Sequence, residues 1–208
     1  MRGFWENKFK NEGAVWSFEP SDSALFALEL FRTNQITNIL IPGFGYGRNA
    51  KLFLEAGFQV SGIEISATAI EIARDHGIDC PIHHGSVTRM PFDDNHYDGM
   101  FCYALLHLLN KPERQKFLTA SFRQLKPGGW MVFTVSSTNL DSYGTGKLLS
   151  KDRYEIAAGL RVFFYDDKSV KAEFGSFGFV SCRDIEEPVK FMEGQEPMKL
   201  KLIICQKQ

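Results

Sequence analysis

The sequence predicts a doubly wound α/β domain, and three features carry that expectation. Residues 38–66, NILIPGFGYGRNAKLFLEAGFQVSGIEIS, read as strand, glycine turn, helix and second strand, with an acid at the far end. Downstream, short apolar runs alternate with segments of helical period, several of them stopped by glycine. The chain then closes on two apolar runs with no helix between them, which implies an antiparallel hairpin at one sheet edge.

Residues 1–37 precede the first strand. Ser21 to Phe31 has a helical period, with Ala24, Leu25, Leu28 and Phe31 on one face and Ser21 or Asp22 as the cap. Before it, Phe4, Trp5, Phe9, Trp16 and Phe18 lie among charges and glycine with no clean period, as an aromatic arm that either covers a site or packs on the sheet edge. Asn38 to Pro42 suits a strand buried on both faces, and Gly43, Gly45 and Gly47 make a turn in which backbone comes close to a ligand. A helix from Arg48 to Ala56 is stopped by Gly57, and Phe58 to Glu64 forms the second strand. Ser66 caps a helix running to about His76, Pro81 to His84 is a third strand, and Gly85-Ser86-Val87 follows it.

Tyr97 to Tyr103 is the fourth strand, with Cys102, Tyr103 and Ala104 at its carboxyl end, where open α/β sheets bind ligands. Asn110 or Pro112 opens a helix with Phe117, Leu118, Phe122 and Leu125 inward, and Lys126-Pro127-Gly128-Gly129 ends it before a fifth strand, Trp130 to Ser136. Residues 137–165 carry no assigned element; a connection that long is expected to belong to a substrate cover. Asp167 then caps a helix with Val170, Phe174 and Phe177 inward, Gly178 stops it, and Phe179 to Ile185 and Met198 to Cys205 are the final strands.

Glu64 stands just past the apolar body of the second strand, placed to accept hydrogen bonds from ribose hydroxyls of a nucleotide-like cofactor over the glycine turn. Two cofactor classes use this geometry. A dinucleotide site carries GxGxxG, but here Arg48 occupies the last glycine position and the spacing is GxGxG. That spacing, with Glu64-Ile65-Ser66 after the second strand and LKPGGWMVF before the fifth, resembles the class I S-adenosylmethionine-dependent methyltransferases. Most of that family has an acid where Ile41 stands; the string Leu40 to Gly47 is more similar to the thiopurine methyltransferase-like branch, and Gly47-Arg48-Asn49 resembles the tellurite-resistance methyltransferases.

The resemblance implies a Rossmann-like seven-stranded sheet of order 3-2-1-4-5-7-6, S-adenosylmethionine as cofactor and S-adenosylhomocysteine as product. It implies cofactor contacts from Gly43, Phe44, Gly45, Gly47, Arg48, Glu64, Ile65, Ser86, Val87, Cys102 and Tyr103, with Ser86 standing where the family commonly places an acid. It favours Trp5, Trp16 and Phe18 as part of a lid over cofactor and substrate. The Asp/Asn-Pro-Pro-aromatic motif of base-methylating relatives is absent after the fourth strand. His107, within a turn of that strand, is the best-placed candidate base, since an unperturbed imidazole titrates near 6.5; a packing role, bonded to backbone, competes with it.

Composition bounds the partners. The 208 residues fit one domain spanning the chain, and 24 basic against 25 acidic residues without a dense Lys/Arg run argue against a nucleic-acid or anionic-membrane surface. Cys80, Cys102, Cys182 and Cys205 are widely spaced, with no CxxC pair and no metal spacing, which fits reduced thiols in a cytoplasmic protein. The expected function is methyl transfer to a small molecule, with a thiol or metalloid as the expected acceptor, by a monomer or homodimer. A non-catalytic cofactor-binding module remains an alternative. NAD(P)-dependent oxidoreduction is opposed by Arg48 and the final hairpin, and aminopropyl transfer by the lack of an acidic cluster near Cys102 to Asn110.

Overall fold

The computed structural model describes residues 2–190 and 194–208. Its strands are β1 (Asn38–Pro42), β2 (Gln59–Glu64), β3 (Ile82–His84), β4 (Tyr97–Tyr103), β5 (Leu125–Ser136), β6 (Lys147–Ser150), β7 (Arg153–Ala157), β8 (Leu160–Phe163), β9 (Phe179–Glu187) and β10 (Met198–Gln206). Its helices are α1 (Arg2–Glu12), α2 (Asp22–Thr33), α3 (Arg48–Glu55), α4 (Ala67–Asp75), α5 (Lys111–Gln124) and α6 (Asp167–Phe174). Seven strands form one sheet in the order β3-β2-β1-β4-β5-β10-β9, the expected order. The first five run parallel, and β10 lies antiparallel between β5 and β9.

Period-two alternation divides the strand residues between two apolar layers. Leu40, Met100, Cys102, Met131 and Phe133 pack with Phe117, Leu118, Val170 and Phe174 of α5 and α6. On the other face Ile39, Ile41, Phe101 and Val132 pack with Ala27, Phe31 and Phe53 of α2 and α3. Because β1 is paired with both β2 and β4, the strand order reverses there, and a crevice for a ligand opens beyond its carboxyl end.

The helix caps follow the sequence closely. Ser21 accepts a hydrogen bond from the Ala24 amide, Ser66 from Ala69, and Asn110 forms a reciprocal box with Glu113. Other expectations need correction. The aromatic arm contains a true helix, α1, supported by Glu6–Lys10 and Lys8–Glu12 pairs one turn apart. Residues 137–165 are not bare connection; β6, β7 and β8 form a second, antiparallel sheet in the order β6-β7-β8. Strand β5 starts at Leu125, before the Pro-Gly-Gly segment. Asp166, not Asp167, caps α6, which ends at Phe174 rather than at Gly178. Leu25, expected inward, is 42% exposed, and Ala27 is buried instead.

Candidate cofactor-binding site

The glycine turn joins β1 to α3 at the reversal point. Gly43 and Gly45 hold φ of 71° and 59°, left-handed values costly for any residue with a Cβ. The two glycines serve different ends. A Cβ on Gly43 would sit 3.1 Å from the Leu105 side chain, so that position is set by packing; a Cβ on Gly45 would meet no atom within 4 Å among the described residues beyond its chain neighbours. The room over Gly45 fits a ligand lying on bare backbone.

Glu64 closes the other side of this room. Its Oε2 accepts a hydrogen bond from the Gly45 amide at 2.7 Å, and its Oε1 accepts from Ile65 and Ser66 at 2.8 and 2.9 Å. Burial raises its pKa above the usual carboxylate range, opposed by those three amides. A carboxylate has about four acceptor positions, so Oε2 keeps one acceptor position beyond those three amides. The second strand thus delivers its acid directly against the turn.

The arm folds onto these same loops. Glu6 accepts from Ser66 Oγ at 2.7 Å and from Thr68 Oγ1 at 2.8 Å, contacts that hold its carboxyl down at about 2. Tyr46, inside the glycine turn, donates its hydroxyl to the Ser17 carbonyl at 2.7 Å and accepts from the Trp16 amide at 2.8 Å. Phe9 and Phe18 pack edge-on against the Tyr46 ring, and Trp5 packs against Phe9 and Trp16. Trp5 also touches the cluster of Leu108, Val162 and Phe164, so it joins the arm to the β7–β8 hairpin. Glu6 and Tyr46 were not singled out in the sequence; the one-turn spacing of Trp5 with Phe9 and of Glu6 with Lys10 was the available signal.

The remaining predicted residues fall into groups. Ser86 Oγ bonds Thr88 Oγ1 at 2.9 Å and accepts from the Thr88 amide, Val87 is buried, and Ile65 lies beside Glu64. Cys102 turns its thiol into the α5 layer, where burial pushes its pKa well up, so only its backbone faces the crevice. Tyr103 faces the opposite layer, its ring beneath the Arg48 guanidinium at 5.2 Å. For His107 the surroundings fit the packing alternative. It is buried, Nδ1 accepts from the Ser136 amide at 3.1 Å, and burial drives its pKa down to about 3. With the Nδ1 lone pair taken by backbone, a neutral ring carries its proton on Nε2, an arrangement that fits packing. A cavity of about 360 Å³ lies beside Arg48, against Phe18 and Leu52, while one of about 380 Å³ sits at the other end of the sheet, by Asn38 and Gln59.

Residues 40–133 match the family described as a methyltransferase domain. The chain is 26% identical over 144 residues to a ubiquinone biosynthesis O-methyltransferase of Hydrogenovibrio crunogenus, covering 67% of this chain and 58% of that one. It is 27% identical over 174 residues to 24-methylenesterol C-methyltransferase 3 of Arabidopsis thaliana, covering 78% and 47%. The chain therefore spans about half the length of the curated relatives it matches. Among solved structures it superposes on the 1,6-didemethyltoxoflavin-N1-methyltransferase of Burkholderia thailandensis, bound to its substrate and S-adenosylhomocysteine, with a TM-score of 0.75 at 16% identity, covering 100% and 87%. Residues 40–133 thus match a methyltransferase domain, the seven-stranded sheet that holds them is shared with an S-adenosylhomocysteine-bound methyltransferase, and S-adenosylmethionine is the cofactor that goes with such a domain.

Proposed function

We propose that this chain transfers a methyl group from S-adenosylmethionine to a small-molecule acceptor, with a thiol or a metalloid oxyanion as the first class to test. The observation that carries the reading is Glu64 bonded across to Gly45 under an open glycine turn, at the point where the strand order reverses. In this reading Gly43, Phe44, Gly45 and Gly47 cradle the cofactor, Glu64 and Ile65 take the ribose, and Ser86 with the Val87 amide takes the adenine edge. Arg48, Tyr103 and the backbone of Cys102 line its amino-acid end. When bound, the cofactor supplies an electrophilic methyl on a sulfonium.

The chain's own work is then alignment and exclusion of water, the tasks an in-line displacement chiefly demands. Trp5, Trp16 and Phe18 act as cover, and their ring faces favour the cationic sulfonium. The state of His107 supports an acceptor that arrives ionised: a thiol of pKa about 8.5 is partly thiolate near pH 7, whereas an alcohol needs a positioned base. Likeness to the ubiquinone O-methyltransferase supports a second reading, a phenolic hydroxyl acceptor. Labelled cofactor offered with aryl thiols, tellurite and selenite, against catechols, small amines and carboxylates, decides between them. Labelling confined to catechols would overturn the soft-acceptor reading, and cofactor binding without transfer to any acceptor would favour the non-catalytic module.

A further inference from the structure

We propose that Phe92 and Asp93 are positioning residues: together they shut the loop of residues 85–92 at its neck, and so fix the seat that Ser86 and the Val87 amide offer to the cofactor. The inference rests on the cofactor reading above and adds residues that reading leaves out.

The neck begins against the second strand. The Gly85 amide donates to the Glu64 carbonyl at 2.8 Å, and His84 Nε2 lies 3.2 Å from the Ile65 carbonyl, so the loop leaves the sheet beside the buried acid. It makes one 3-10 turn, Val87–Arg89, and buries Val87 and Met90 in the layer that α5 covers. It then returns to its own start. Unlike Gly43 and Gly45, Gly85 holds no left-handed φ, so backbone conformation does not call for glycine there. Space does: a Cβ on Gly85 would overlap Cζ and Cε1, the far edge of the Phe92 ring. The same ring stacks on the His83 imidazole, with centroids 5.8 Å apart and planes 17° from parallel. Phe92 is thus seated between the end of β3 and the bare backbone that follows it.

Asp93 supplies a second strap. Its Oδ2 lies 2.9 Å from His83 Nε2 and accepts from the Tyr97 hydroxyl at 2.7 Å, while its Oδ1 accepts from the Asn95 amide and from Gln124 Nε2, each at 3.1 Å. Partial burial pushes this carboxyl up, but the bonds from Tyr97, Asn95 and His83 outweigh it and hold the group below the usual carboxylate range. It is therefore ionised at neutral pH and only accepts, which places a proton on His83 Nε2. Four donors fill its acceptor positions, so Asp93 has none left for a ligand and its task is internal. Gln124, the last residue of α5, also donates to the Asp93 carbonyl at 3.2 Å and ties the strap to a rigid element. A loop closed in this way has few conformations to lose when a ligand settles on it, so the seat is formed before binding rather than by it.

Calorimetry with S-adenosylhomocysteine, paired with hydrogen exchange on the ligand-free full chain, tests this. Gly85→Ala should expel the ring, weaken S-adenosylhomocysteine about five- to thirtyfold and quicken exchange across residues 86–92. Leucine lacks the ring atoms that the new Cβ would strike. Gly85→Ala combined with Phe92→Leu should therefore recover most of the affinity and slow the exchange again, a rescue that a general loss of stability would not give. Asp93→Ala opens the other strap without touching Gly85, and it should weaken binding and quicken exchange by similar factors. Unchanged affinity in both single variants, no rescue in the double variant, or weaker binding with exchange across 86–92 unaltered would each overturn the positioning role. If Gly85→Ala fails to fold, Asp93→Ala decides alone, and affinity and exchange equal to those of the unaltered chain would overturn it. If the unaltered chain binds no S-adenosylhomocysteine, the cofactor reading itself falls and the positioning role with it.

Discussion

Replacing Glu6 with glutamine should release α1 from the glycine-turn side of the molecule without unfolding it. The Glu6 carboxylate accepts from Ser66 Oγ, Thr68 Oγ1 and, at 3.5 Å, the Thr68 amide, and it pairs with Lys10 at 3.3 Å. Glutamine keeps one oxygen and loses the charge. Bonds to a buried carboxylate are worth about 1.5–3 kcal/mol each, but this side chain is 22% exposed, so the net loss is about 1–2 kcal/mol. That corresponds to a five- to thirtyfold rise in the undocked population.

The pH dependence has a definite sign. The carboxyl sits at about 2 in the docked state against an ordinary 4.5, so it stabilises docking above pH 4.5 and that contribution fades as pH falls from 4.5 through 2. Tryptophan fluorescence from Trp5 and Trp16 should follow this loss in the unaltered chain and show a flat profile in Glu6→Gln. Trypsin at neutral pH should cut at Lys8 and Lys10 five- to thirtyfold faster in the variant. Equal cutting rates at unchanged global melting temperature would refute the latch and leave the aromatic cluster as the sole anchor of α1.

Two further predictions concern the crevice. Glu64→Ala should weaken S-adenosylhomocysteine binding by about 1.5–3 kcal/mol, and it strands three amides that the carboxylate now satisfies; unchanged affinity by calorimetry would remove Glu64 from the ribose site. His107→Phe should leave kcat/KM for thiol acceptors within about threefold while lowering stability by about 1–3 kcal/mol through the freed Ser136 amide, and the rate profile should show no inflection near 6.5; an inflection there that disappears in the variant would restore His107 as a base.

The sheet was legible because its signals are local. Tyr97 to Tyr103 is bounded by polar loop on one side and a turn on the other, and the strand found has those same limits. The glycines and Glu64 were legible for the same reason, since a turn and an acid at fixed spacing need no tertiary context. What was missed depends on partners far off in sequence. Helix α1 has weak amphipathicity of its own and is held by Phe9 packing on Tyr46 and Glu6 bonding Ser66, partners that lie beyond the first strand. Strands β6 to β8 are four or five residues long, are broken by Lys147, Arg153, Glu155 and Arg161, and are exposed or half-buried at all but one position, so they lack the longer buried apolar runs that mark β1 and β4. His107 stayed open between base and packing because a titratable residue and a packed acceptor look identical until the Ser136 amide is seen opposite its ring.

The arm is anchored on Tyr46 and Ser66, and each of these stands one or two residues from an expected cofactor contact. On the proposed reading, closing the cover and gripping the nucleoside act on the same two loops, and by reciprocity whatever free energy one gives the other is returned in equal measure. A tighter cover then slows departure of the demethylated nucleoside as surely as it shields the methyl group. On that reading a tightly held arm paces turnover by opening rather than by bond making, and loosening it quickens the cycle until water begins to enter.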